Sequence, residues 1–117
     1  MATFTDIINA ELKEINHEKL ASEANRLKIG EHIATLSSFM PRVNAELAKR
    51  QSEYNMCFNE TLTSGEHKSV SHAKISAEAS PEYAELLKVK MLREGIVESI
   101  RGLKYMARAL EDEFKQS

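Results

Sequence analysis

Tryptophan is missing from these 117 residues, proline occurs twice, glycine four times and cysteine once. A lone Cys57 excludes a disulfide within the chain and fits a reducing compartment. So few glycines and prolines leave little to punctuate long helices. No apolar run approaches the ~20 residues a membrane-spanning helix needs. The opening MATFTDIINAELKE has neither the basic start nor the apolar stretch of a secretory leader, so a cytoplasmic location is expected. A net charge of −2 exerts no general pull toward nucleic acid or an anionic membrane, and no membrane partner is expected. Gly-rich phosphate loops, GxSxG and HExxH are all lacking. The expectation is a non-enzymatic protein without cofactor or metal.

What is present is helix. The composition, 42% hydrophobic and 29% charged, suits long helices with solvated outer faces. The C-terminal arm is the clearest. Ser80-Pro81-Glu82 supplies a capping oxygen, a residue that needs no donor in the first turn, and an acid at the positive helix end. Apolar residues then recur at Leu86, Val89, Leu92, Ile96, Ile100, Leu103, Ala107, Leu110 and Phe114, in steps of three and four. Val89, Ile96, Leu103 and Leu110 lie seven apart, the spacing of a lengthwise packing seam. The helix is expected over 80–115. Such a helix needs an apolar partner of similar length, because propensity alone stabilises isolated helices only marginally.

Earlier in the chain, residues 4–28 read as a helix with Phe4, Ile7, Ile8, Leu12 and Ile15 along one edge. That edge rotates at Asn16-His17 and continues through Leu20, Ala24 and Leu27. Gly30 is a plausible stop, or is crossed at a cost of about 1 kcal/mol. A second helix is expected over 31–60, with Ile33, Leu36, Met40, Val43, Leu47, Tyr54 and Phe58 on one face and a bend near Pro41. Residues 61–79 are rich in serine and threonine and lose the helical period, which predicts a long polar loop with Val70 and Ile75 touching the bundle.

The fold class expected is all-α: a single helical domain, built as a long antiparallel, coiled-coil-like hairpin with an extra N-terminal helical segment. If the second helix and the arm pair, facing residue numbers add to about 142, and Glu53 lies opposite Lys90. Residues 4–28 then lack a partner. They either fold back at Gly30 as a third helix or project to meet another chain. The width of apolar face left uncovered favours a homo-oligomer, a dimer being the simplest closed form, with Phe4, Ile7, Ile8, Leu12 and Ile15 as its interface.

Between Lys88 and Arg108 stand six basic residues and two acids, Glu94 and Glu98. Lys90, Arg93, Arg101, Lys104 and Arg108 would grip phosphates without sequence preference, since only Tyr105 offers a stacking ring. The plainer reading pairs them with Glu46, Glu53 and Glu60 on the second helix. Cys57, His67 and His72 match no zinc spacing and lack a fourth ligand. Glu94 and Glu98 share a face without a base or nucleophile nearby. Met40, Met56, Met91 and Met106 read as core packing rather than a docking surface.

Leu47-Ala48-Lys49-Arg50 with Tyr54, a polar break, and Ser80-Pro81-Glu82-Tyr83 opening a final helix that closes on Leu103-Lys104 and Leu110 form a pattern. Over residues 36–114 it resembles small helical proteins of bacteriophage recombination and early gene clusters. The resemblance implies an accessory role in the host cytoplasm: partnering a single-strand annealing or binding protein, or blocking a host nuclease or defence complex. It carries no catalytic residues. The leading expectation is therefore a self-associating helical interaction protein that binds a protein partner. A sequence-independent nucleic-acid accessory is the alternative, and a cytosolic secretion chaperone or adaptor a third.

Overall fold

The computed structural model describes residues 3–15, 26–64 and 69–116, with side chains for all of these except residues 26 and 113–116. The fold is all-α, a helical hairpin of two long helices joined by shorter elements. Helix α1 is Phe4–Glu14, α2 is Arg26–Thr63, α3 is Val70–Glu78 and α4 is Pro81–Gln116; no strand occurs among the described residues.

Helix α1 opens with a reciprocal capping box. The Thr3 hydroxyl accepts from the Asp6 N–H, and the Asp6 carboxylate accepts from the Thr3 N–H, each at 3.1 Å. It closes at Ile15, whose backbone is extended. The helix expected over 4–28 is thus corrected: it stops after Glu14, and Leu20 and Ala24 lie outside the described residues.

Helix α2 is longer than the 31–60 expected. It runs through Gly30, where a Cβ would meet nothing within 4 Å, and through Pro41. Glycine costs a helix interior about 1 kcal/mol, less than burying Ile29 and Leu36 on either side returns. The expected loop over 61–79 is also corrected. The hydroxyls of Thr61 and Thr63 donate back to the carbonyls of Cys57 and Asn59, and that of Ser64 donates to the Thr61 carbonyl, one of the orphan acceptors at the end of α2. Ser69 then accepts from the His72 N–H and starts α3. Its buried face is Ala73 and Ala77, one turn apart, whereas Val70 and Ile75, expected against the bundle, are 64% and 68% exposed. Alanine is small enough to let a short helix lie close to its neighbours. Ser80, Pro81 and Glu82 open α4 as expected, the Ser80 hydroxyl accepting from the Tyr83 N–H.

The chain forms two compact units. The first comprises Met1–Pro41 and Leu92–Ser117. Its core is Ile8, Ile15, Ile29, Leu36, Ile96, Leu103 and Leu110. Here α1 runs antiparallel to the start of α2: Phe4 meets Phe39 edge-on, with ring centres 6.1 Å apart, and Glu11 Oε1 lies 3.0 Å from His32 Nδ1. Leu12 reaches Gly95, where an added Cβ would stand 3.6 Å from its Cδ1. The second unit is Arg42–Met91, with a core of Val43, Ala73, Ala77, Leu86 and Val89. Tyr54 stacks on Phe58 and meets Tyr83 at 5.2 Å.

Candidate functional site

The residues whose spacing marks a packing seam in α4 lie mostly away from solvent. Val89, Ile96, Leu103 and Leu110 are buried, and Leu92 and Ile100 are half-buried beside them. Phe114 lies outside the described side chains. The register is corrected by little more than a turn: Tyr54, expected to face a residue near 88, meets Tyr83. Glu53 accordingly binds Arg50 Nη1 on its own helix at 3.2 Å rather than Lys90, and Glu46 takes Arg50 Nε at 2.9 Å. The Glu46 hydrogen bond, with the charges of Glu46, Glu53 and Glu85 around it, raises the pKa of Arg50. The pairs Arg50–Glu46, Arg50–Glu53, Lys88–Glu85 and Arg101–Glu98 each run along one helix, between residues three or four apart.

The N-terminal face is corrected too. Ile8 and Ile15 are buried and Phe4 and Leu12 half-buried against the chain's own helices; only Ile7, 48% exposed, faces outward. Four of the five residues expected to meet another chain are thus occupied within the first unit. The chain does not turn back at Gly30, which lies inside α2.

The basic residues stand where a ligand could meet them. Lys90, Arg101, Lys104 and Arg108 are exposed, and Arg93 is half-buried. Tyr105, 77% exposed, projects among Arg101, Lys104 and Arg108. The acids share this outer face: Arg101 Nη1 holds Glu98 Oε1 at 2.7 Å, and Glu94 is exposed one turn earlier.

In the second unit an open groove of about 250 Å³ is lined by Glu53, Met56, Cys57, Glu60 and Glu82. Glu82 joins it from α4, a placement that depends on helix pairing and has no local signal in the sequence. Tyr54, beside this region, has its pKa raised above the ordinary phenol value by burial first, then by Glu78, Tyr83 and Cys57. Among the described residues no three His, Cys, Asp or Glu side chains gather as a metal site. Cys57 is half-buried, His72 is exposed on α3, and His67 lies outside the described residues.

Several large apolar side chains face outward among the described residues. Leu27, Met56, Val70, Ile75, Leu87, Met91 and Tyr105 are all exposed. Met56 and Met91, expected in the core, sit on the surface instead, because the seam closes around shorter branched residues. No helix of the described residues is long and apolar enough to cross a membrane. No family model, curated protein or solved structure matches the chain.

Proposed function

We propose that this chain is a non-enzymatic helical interaction protein, self-associating, that acts by presenting its outward helix faces to a protein partner. The observation that carries the reading is α3. This nine-residue helix hides only alanines, Ala73 and Ala77, and turns Val70 and Ile75 to solvent. A short surface segment that spends its bulkiest apolar residues on water leaves them for another protein to cover. An accessory or inhibitory role toward a host or recombination protein, as the resemblance implies, is compatible with such a face. A photo-crosslinker at Ile75 should give one dominant adduct in the native host cytosol, and Val70→Ser should weaken it. An adduct pattern no different from a crosslinker at Lys49, on another exposed face, counts against the reading.

The second reading is sequence-independent nucleic-acid binding through Lys90, Arg93, Arg101, Lys104 and Arg108, favoured by the exposure of Tyr105 among three of them. Phosphate contacts release counterions and are strongest at low salt. Single-stranded DNA should then bind at about 50 mM salt and dissociate steeply as salt rises; no binding there removes this reading.

A further inference from the structure

Along α4 a second stripe follows the same three-and-four spacing as the buried seam, on the solvent side. Met91, Glu94, Glu98, Arg101, Tyr105 and Arg108 are all exposed. A helix face with this spacing is shaped to lie lengthwise against another helix. Its charge is sorted by position. The acids, Glu94 and Glu98, come first; the bases, Arg101 and Arg108, follow, with Lys104 at their side.

That order makes the stripe complementary to itself in one orientation only. Two copies side by side in the same direction set acid on acid and base on base. Two copies in opposite directions bring the acidic half of each over the basic half of the other. We propose that a second copy of this chain covers the stripe, antiparallel, about a two-fold axis passing near Ser99 and Ile100. In that register Glu98 of each copy faces Arg101 of the other, Glu94 faces Tyr105, and Met91 lies under the stem of Arg108. A two-fold contact repeats every pairing, so each favourable layer counts twice. The Arg101 guanidinium, with five donors, can keep its own Glu98 and donate to a second carboxylate. Met91 and Tyr105, 70% and 77% exposed, supply the apolar area that charges alone would not. A net charge of −2 sets no general repulsion against it.

The proposal rests on the self-associating part of the function above, with the α3 face left open to another protein. Sedimentation of the full chain at about 50 mM salt, within reach of unscreened surface charge, should report twice the chain mass. Glu94→Lys with Glu98→Lys makes the stripe wholly basic, and Arg101→Glu with Arg108→Glu makes it mainly acidic. Each double variant alone should associate roughly tenfold or more weakly, because like charges then face each other. An equimolar mixture of the two should regain the double mass. The four positions are exposed, so helicity by circular dichroism should stay unchanged. Orientation is read separately with Glu94→Cys in a Cys57→Ser background: antiparallel copies hold the two new thiols apart, and rapid oxidation to a disulfide dimer overturns the arrangement. A wild-type chain at single mass, variants that keep the double mass, or a mixture that fails to regain it overturns the proposal. A chain at single mass that still gives the Ile75 adduct keeps the protein-partner reading and loses this one.

Discussion

Thr3 and Asp6 carry the entry into α1 between them, and their coupling sets a pH dependence. The Thr3 backbone and side-chain hydrogen bonds favour the ionised Asp6 carboxylate and lower its pKa. A lowered carboxylate pKa contributes stability that is present above the ordinary carboxylate range and is lost as pH falls through the depressed value. An NMR pH titration should therefore show the Thr3 amide holding its shift until pH drops below that range, and Asp6→Asn should abolish the transition. Gly30 supplies a second residue-scale test. It sits inside α2 with open space where a Cβ would stand. Gly30→Ala should stabilise the chain by about 0.5–1 kcal/mol, seen as a rise in the melting temperature. A fall would mean that the backbone there departs from the helix.

Among the elements, α1 and α3 depart furthest from what their residues announce. Helix α1 carries isoleucine at both position 7 and position 8, and the spacing alone assigns both to one apolar edge. Packing against α2 and α4 separates them: Ile8 is buried and Ile7 about half exposed. Ile8→Ala should destabilise by about 2–5 kcal/mol in denaturant unfolding, whereas Ile7→Ala should stay within about 0.5 kcal/mol. Equal effects would place α1 off its own chain. Helix α3 was hidden for a related reason. Its buried residues are alanines, which give no strong periodic signal, and its branched residues face water, so the pattern points the wrong way. Ser69 caps it, yet in a stretch rich in serine and threonine no apolar period marks out one serine as a helix start. In α4, by contrast, cap, proline, first-turn acid and seam agree with one another, and the element appears where they place it.

For the whole molecule, the two units differ in what they bury. The first places five isoleucines and leucines from α2 and α4, with Ile8 and Ile15, in its core; the second relies on Val43, Leu86 and Val89 with two alanines. Less apolar volume removed from water means a lower free energy of opening. Native-state hydrogen exchange should therefore release the amides of residues 70–78 and the end of α2 well before those of 96–110. The reverse order would mean that stability follows helix length rather than core volume.

The all-helical class, the start of α4 and the apolar spacing along it were determined by local composition and by spacing along the chain. Those depend on which side chains share a face, and a 3.6-residue period settles that without a partner. The fold-back of α1, the register of the hairpin, the placing of Glu82 in one groove with Glu53 and Glu60, and the exposure of Met91 and Tyr105 were decided only by tertiary packing. Each depends on which of several competing apolar faces is covered first, a choice made by shape and volume between residues far apart in the chain.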